Sequence, residues 1–381
     1  MGAPQDSDTP IYFNLTKPQY REQKAAIDGA ISRVLEESMF VLHREVEAFE
    51  QEFAAYLGAR RVVGVGSGTE AIHLALAALG IGEGDEVLTV SHTAVATTVA
   101  ISATGATPVF VDIDPVTYTM DPALLRARLT PKTRAIVPVH LYGHPAEMGS
   151  ILSFAAEHSL LVVEDAAQAH GAAFESQRVG TLAHAAAFSF YPTKNLGAYG
   201  DGGAIATNDD VLADRLAMLR NYGWEAGRRY YSLLKGVNSR LDELQAAILR
   251  AKLTHLEDGN DRRRKLAGIY GEMLTGVPGL TLPEEKPWGR HVYHLYVARL
   301  DSEVRRDALQ AHLRERKIGT QIHYPEPVHL QAAYRDMGYA RGSLPETERA
   351  CGQILSLPIY PELPERDARR VAEEIRRFAR D

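Results

Sequence analysis

The chain has 381 residues, 45% hydrophobic and 24% charged, with a formal net charge of -7, enough to bury a large core and to suit one large and one smaller domain. An acidic balance with pI near 6.1 argues against nucleic acid as a main partner, since that affinity leans on clustered Lys and Arg. No stretch approaches the roughly 18 consecutive apolar residues of a membrane span, the polar N-terminus lacks a signal-peptide core, and the single cysteine, Cys351, permits no intrachain disulfide and fits the cytoplasm. Without His or Cys companions at metal spacing, Cys351 reads as a small core residue, and no metal is expected.

Met1 to Pro10 is small and polar and reads as a frayed start. Tyr20 to Ser38 reads as a helix. In His43 to Leu57, Val46, Phe49, Phe53 and Leu57 recur at helical spacing and mark a core face, and the helix stops before Gly58. Residues 60–66 form a short strand, after which Ser67-Gly68-Thr69-Glu70 opens a helix over Ala71 to Leu79. Backbone amides at that helix N-terminus, freed by Gly66 and Gly68 for close approach, make an anion site suited to a phosphate; an ordinary capped turn is the alternative. Glu86 to Val90 is the next strand, followed by Ser91-His92-Thr93-Ala94 and a helix over Val95 to Ala103. Alternating units continue with a strand Thr107 to Val111, a helix near Asp121 to Leu129, a strand Ala135 to Leu141 and a helix near Glu147 to His158. This rhythm predicts an α/β fold, with a mostly parallel sheet flanked by helices. His140, Tyr142 and His144 lie at a strand end, yet they lack a carboxylate or thiolate partner at ligand spacing, so hydrogen bonding inside the fold is expected for them.

The apolar strand Leu160 to Val163 ends in Glu164 and Asp165, on the edge of an open α/β sheet where ligands bind. Asp165 can pair with a cationic ring nitrogen there; Asp-Ala-Ala-Gln also fits a capping box, and the two roles are compatible. A second buried strand, Ala185 to Phe190, stops at Tyr191-Pro192, because proline removes a ladder donor. Lys194 follows, bracketed by Gly197, Gly200, Gly202 and Gly203, where backbone can crowd a ligand and desolvation can lower an ammonium pKa. Alone it is an ordinary surface lysine. With Asp165 one strand earlier it completes the pair that pyridoxal phosphate chemistry requires: the lysine holds the aldehyde as an imine and the acid keeps the pyridinium protonated as an electron sink.

Ala204 to Thr207 is a further strand and Asp209 to Arg220 a helix. Residues 221–236 are irregular and rich in Gly, aromatics and Arg, and long irregular loops in compact domains are usually functional or mobile. From Leu241 to Leu274 a long helical region carries the chain to a second domain, with Arg262-Arg263-Arg264-Lys265 on its solvated face. Then come His291 to Leu300, a helix Arg305 to Lys317, a strand Gly319 to Tyr324 entering a Pro-rich turn, and an amphipathic helix Glu365 to Ala379.

Three linked motifs carry a resemblance: Glu164 to Gly171; Phe188-Ser189-Phe190 with Lys194 and Gly200-Asp201-Gly202-Gly203; and Asn238 to Ala247. Together they resemble the sugar-nucleotide aminotransferases of the DegT/StrS type, which share the aspartate-aminotransferase fold (PLP fold type I), and the likeness covers nearly the whole chain. It implies a PLP-binding large domain over 1–255, with an N-terminal helical segment, and a smaller α+β domain over 256–381. Lys194 and Asp165 are the implied catalytic pair. Ser67, Gly68, Thr69 and Ser189 hold the cofactor phosphate, joined by Asn238 from the second subunit of a homodimer, and Gln168 also belongs to the cofactor site. Family members place a ring side chain near His92 to stack on the pyridine; imidazole can do this, and a neutral helix-capping histidine is an equal reading. The resemblance further implies L-glutamate as donor, leaving as 2-oxoglutarate before a nucleotide-linked keto sugar is aminated in a ping-pong cycle. His92-Thr-Ala-Val-Ala-Thr, Ile322-His-Tyr-Pro and His329-Leu-Gln look most like 3-aminotransferases, so a dTDP-linked 3-keto-6-deoxyhexose is the expected acceptor. Arg228, Arg229 and Tyr230 suit its base and diphosphate, with a solvated loop as the alternative, and His323 and Tyr324 are candidates to meet the sugar. Rival readings are a 4-keto-sugar aminotransferase, a dehydratase on the same fold, a non-catalytic PLP-binding regulator and a β-eliminating or desulfurising enzyme. The dehydratase typically replaces the lysine by histidine, the regulator needs a DNA-reading module for which the N-terminus has no room, and the last calls for a cysteine near the site.

Overall fold

The structure, a computed structural model, describes residues 9–380; most of the segment expected to be frayed lies outside the described residues. Seven strands form the main sheet: β1 Arg61–Val65, β2 Glu86–Val90, β3 Thr107–Val111, β4 Thr133–Ile136, β5 Leu161–Asp165, β6 Ala185–Ser189 and β7 Gly203–Thr207, in the order β1-β7-β6-β5-β4-β2-β3. β2 to β6 pair in parallel, while β7 runs antiparallel to both β6 and β1. Parallel neighbours need crossover connections that put helices on both faces.

The helices up to the end of that sheet are α1 Lys17–Glu22, α2 Lys24–Glu37, α3 Arg44–Leu57, α4 Gly68–Ala78, α5 Val95–Ala103, α6 Met148–Glu157 and α7 Asp210–Leu219. They are followed by α8 Glu243–Leu253 and α9 Leu256–Leu274. The period of two along β6 divides the packing: Ala185 and Ala187 join Leu74, Ile101 and Leu216 on one face, and Ala186 and Phe188 join Phe49, Phe53 and Leu249 on the other. Phe53 meets Phe188 edge-on at 5.1 Å and Phe49 meets Phe190 at 5.2 Å. Each of these rings is fully buried, which stabilises by about 1.5–3 kcal/mol apiece, so α3 is clamped beneath the strand that leads to Lys194.

Beyond α9 an antiparallel sheet of β8 Leu280–Thr281, β9 Tyr296–Leu300 and β10 Ile354–Leu357 forms with β9 in the middle. It shares a core with α9, with α10 Glu303–Glu315 and, after α11 Pro345–Gln353, with α12 Glu365–Phe378. No helix among the described residues is long and apolar enough to cross a membrane.

Several elements differ from expectation. Residues 20–38 and 241–274 each form two helices; the second break falls at Thr254, whose hydroxyl bonds back to the Ala251 carbonyl and competes with the ladder. Asp121 to Leu129 is a 3-10 helix, Pro122–Arg128, capped by Asp121. The fourth strand begins at Thr133 and gives out before Pro138, which has no donor to offer. Residues 319–324 do not form a strand: Gly319 donates to the Ile11 carbonyl at 2.8 Å and Gln321 makes an isolated bridge to Ser356. The basic run is not wholly solvated: Arg263 is buried and donates to the carbonyls of Tyr293, His294 and Ile359.

Candidate active site

The C-terminal ends of β1, β2, β5 and β6 converge, as ligand-binding edges of open parallel sheets do. At β5 the period of two sends adjacent acids opposite ways. Glu164, fully buried, accepts from the backbone N–H groups of Gly180, Leu182 and Ala183 and pairs with His140 at 3.1 Å. It is a structural anchor. Asp165 faces the other way, into a cavity of about 250 Å³ that it shares with Lys194, Gln168, Ser189, Ser67, Gly68 and Thr69. Its Oδ2 accepts from the Thr97 hydroxyl at 2.7 Å and its Oδ1 from the Ala167 N–H at 3.2 Å. Residues 166–171 form turns rather than a helix, so the capping-box role is not taken up. Burial pushes the Asp165 carboxyl up, opposed by Thr97, Ala167 and Lys194.

Lys194 sits in the loop after β6, where its own N–H bonds to the Tyr191 carbonyl at 2.9 Å. That loop folds back so tightly that a Cβ at Gly197 would lie 2.4 Å from the Pro192 carbonyl oxygen. The ammonium is desolvated and its pKa falls to about 8, with Asp165 opposing the shift. At the opposite end, Ser67 caps α4 by accepting from the Glu70 N–H at 3.2 Å. The Gly68 and Thr69 amides find no acceptor among the described residues. A Cβ on Gly68 would come within 2.6 Å of the Ser189 Cβ, so only glycine lets α4 start this close to β6. Free amides at one end, a carboxylate at the side and a lysine of lowered pKa beside it fit a phosphorylated aldehyde with a ring nitrogen.

A second cavity, of about 570 Å³, opens from the first and shares Lys194, Gln168 and Tyr191 with it. His323 and Tyr324 line it, with Tyr12, Phe13, Gln321 and His294. Gln168 joins the two: its Oε1 accepts from the Tyr142 N–H at 2.7 Å and its Nε2 donates to the Tyr324 hydroxyl at 3.1 Å. Of the residues expected at the site, Ser67, Gly68, Thr69, Asp165, Gln168, Ser189, Lys194, His323 and Tyr324 are therefore brought together.

The remaining five are not, Arg229 lying beside Arg228 in a groove apart from both cavities. His92 lines neither cavity; the neighbouring Thr93 and Ala94 line the first, and Ala94, not His92, precedes α5 as its cap. The His92 ring is fully buried, with Nε2 at 2.8 Å from the Tyr142 hydroxyl and Nδ1 at 3.4 Å from Cys351 Sγ. Because the Tyr142 hydroxyl donates to the His323 carbonyl, it accepts from His92, which thus braces the His323 backbone from behind. Burial holds His92 neutral, with its pKa down to about 4. Asn238 is exposed and outside both cavities, paired with Asn221 through an isolated bridge. Arg228 lines a separate open groove of about 890 Å³ with Val41, Trp224 and Arg240, and Tyr230, 73% exposed, stands against Trp224 beside it. His140 and His144 are hydrogen-bonded as expected, to Glu164 and to the Pro145 carbonyl.

Sequence reasoning missed Thr97, Tyr191 and His294. Thr97 was within reach, since it lies on the first turn of a helix leaving the same sheet edge; His294 is 100 positions from Lys194 and no spacing links them.

The family model described as the DegT/DnrJ/EryC1/StrS aminotransferase family matches residues 21–376. The chain is 50% identical over 374 residues to a Streptomyces venezuelae protein named dTDP-3-amino-3,4,6-trideoxy-alpha-D-glucose transaminase, covering 98% of this chain and 97% of that one. Among solved structures it resembles S. venezuelae DesV in complex with a ketimine intermediate, with a TM-score of 0.95, 49% identity, and 98% and 99% of the two chains covered. It also resembles NtdA from Bacillus subtilis with bound cofactor PMP, with a TM-score of 0.89, 33% identity, and 99% and 87% covered. Matched along nearly its whole length, and with the lysine, carboxylate and free amides gathered at one sheet edge, the chain belongs to the DegT/DnrJ/EryC1/StrS aminotransferase family and has the fold of the type I PLP aminotransferases.

Proposed function

We propose that this aminotransferase moves the amino group of L-glutamate to a dTDP-linked 3-keto-6-deoxyhexose, through PLP and its amine form PMP, in amino-sugar biosynthesis. The observation that carries the reading is Lys194 beside Asp165 in one cavity whose far end offers the amides of Gly68 and Thr69. When bound, PLP supplies an electron sink for the carbon that loses its proton. Asp165, held in place by Thr97 and Ala167, would meet the ring nitrogen and favour its protonated form. Ser67, Gly68, Thr69 and Ser189, which line the same cavity, would hold the phosphate. Lys194, with its ammonium pKa lowered to about 8, has an amine form, growing toward pH 8, that can take a proton from the donor carbon and return it on the other side. Gln168 orients both the first cavity and Tyr324, and the second cavity takes the sugar. The C3 position and the dTDP carrier are supported by the name of the S. venezuelae relative.

The functional unit in this reading is a homodimer with shared sites. Asn238 and the Arg228–Tyr230 groove lie away from the chain's own Lys194, where they can serve a partner's phosphate and nucleotide. Residues 1–255 carry the cofactor, and residues 256–381 form the smaller domain that brings His323 and Tyr324. A cytoplasmic location fits the lone cysteine.

Absorbance spectroscopy tests the reaction. Loaded with PLP, the protein is expected to show a lysine-dependent visible band that L-glutamate bleaches and one keto sugar of a nucleotide-linked panel restores. Lys194→Ala should show neither change. A band that glutamate leaves intact would remove glutamate as donor; restoration by 4-keto sugars alone would move the amination to C4.

A further inference from the structure

The second cavity contains a histidine whose protonation pattern is dictated by its neighbours. Asn260 Nδ2 donates to the His170 carbonyl at 2.9 Å, which leaves Asn260 Oδ1 as the acceptor for Asn195 Nδ2 at 2.8 Å. Asn195 Nδ2 gives its other hydrogen to the Val292 carbonyl at 3.2 Å. A carbonyl cannot donate, so the amide orientation of Asn195 is fixed and its Oδ1 is the atom that faces His294 Nδ1, at 3.1 Å. His294 Nδ1 must therefore carry the hydrogen, and Nε2 must carry a lone pair. Among the described residues Nε2 has no hydrogen-bond partner, yet it is not among the atoms sealed from solvent without one. With Nδ1 taken up by Asn195, Nε2 is the ring nitrogen left for the cavity that His294 lines with Lys194. Burial and the nearby Lys194 keep the ring neutral.

The cavity has a definite chemical character. Apart from Lys194, its lining holds no cation; it offers Tyr12, Phe13, Tyr191, His323 and Tyr324, a surface of rings and hydroxyls. Such a wall suits a neutral polyhydroxylated ring better than a dicarboxylate, and an acceptor in it calls for a donor on the ligand.

We propose that His294 is a specificity-determining residue whose Nε2 accepts a hydrogen bond from a ring hydroxyl of the keto sugar, with Asn195 fixing the tautomer. This rests on the acceptor reading above and deepens it: the sugar must present a hydroxyl at that point, and a sugar deoxygenated there binds less well.

Two conservative variants separate this role from a structural one. His294→Asn keeps a donor where Nδ1 stood but has nothing at Nε2; His294→Gln keeps an acceptor oxygen near Nε2 and gives up the Asn195 contact. Single-turnover absorbance follows each half-reaction on its own. His294→Asn should lower kcat/KM for the keto sugar about tenfold, chiefly through KM, and His294→Gln should recover most of it. The L-glutamate half-reaction should lose much less than the keto-sugar half-reaction in His294→Asn. The reverse order of severity, a loss shared equally by both half-reactions, or no loss in His294→Asn overturns the inference. Nitrogen-15 NMR of imidazole-labelled protein gives a readout without turnover: the resonances that vanish in His294→Asn should show a protonated Nδ1 and a bare Nε2, and the bare nitrogen should shift with the accepted dTDP-sugar. A protonated Nε2 would equally overturn it. If wild-type protein rejects every 3-keto sugar while this tautomer stands, the acceptor assignment fails and the His294 assignment is then decided on the keto sugar that is accepted.

Discussion

Lys194 and Asp165 bias each other's charge. Burial lowers the lysine from 10.5 to about 8, and the carboxylate resists that fall by favouring the ammonium. Covalent capture of PLP by the cofactor-free protein needs the neutral amine, so its rate should rise as pH passes about 8 and level off above. Asp165→Asn removes the attraction, and the midpoint should move to lower pH. Absorbance-monitored reconstitution across neutral and alkaline pH checks both. A midpoint near the ordinary lysine value, or one that Asp165→Asn leaves in place, would sink the coupling. The pair itself was legible because Asp165 ends one buried strand and Lys194 follows closely on the end of the next, and strand ends of an α/β sheet share an edge. Which of Glu164 and Asp165 faces the ligand followed from the motif, since a period of two says only that they diverge. His92 was not legible: it lies in the turn after β2, where no periodicity sets the direction of a side chain, and its partners Tyr142 and Cys351 are distant in sequence. The same holds for His294.

At the level of elements, the Leu241 to Ala247 motif does more than begin a helix. Glu243, 1% exposed, accepts from the N–H groups of His43, Glu45 and Val46 at 2.6, 2.8 and 3.2 Å. It caps the N-terminus of α3 from 200 residues away, where the helix lacks a side-chain cap of its own. Since α3 underlies the aromatic clamp beneath β6, removing this carboxylate should loosen the base of the Lys194 loop. Glu243→Ala is expected to destabilise by about 3 kcal/mol, with three amides orphaned, and Glu243→Gln by about 1–2 kcal/mol. Urea titration measures this, and a loss under 1 kcal/mol for Glu243→Ala would show that water replaces the cap. Helical spacing can also expose what composition hides. Arg263 falls at i, i+4, i+7 and i+11 with Ala267, Tyr270 and Leu274, all buried, so the phase of α9 placed it on the apolar face although the basic run around it suggested solvent. Arg262 and Lys265 do lie outward, in ion pairs with Glu22 and Glu365.

At the scale of the molecule, one chain supplies both cavities but leaves Asn238, Arg228 and Tyr230 on its outside, although the third motif ties Asn238 to the cofactor and the side-chain chemistry of Arg228 and Tyr230 suits the nucleotide. The proposed twofold dimer, exchanging these segments, would reconcile the two facts, because an isologous interface gives each site what the other subunit projects. The arrangement has a consequence that a self-contained site lacks. Lys194→Ala destroys the site of the subunit that carries it. Asn238→Asp places a negative charge against the cofactor phosphate of the opposite subunit and should disable that site instead. In a hybrid of the two variants, the subunit that retains Lys194 receives its Asn238 from the Lys194→Ala partner, so one site is wholly native. Two nearly inactive homodimers should therefore yield a hybrid with about half the wild-type activity per dimer, one site of two being intact. Co-expression with two affinity tags isolates the hybrid, and the transamination rate reads the outcome. If Asn238 served its own subunit, each site of the hybrid would carry one lesion and no activity would return.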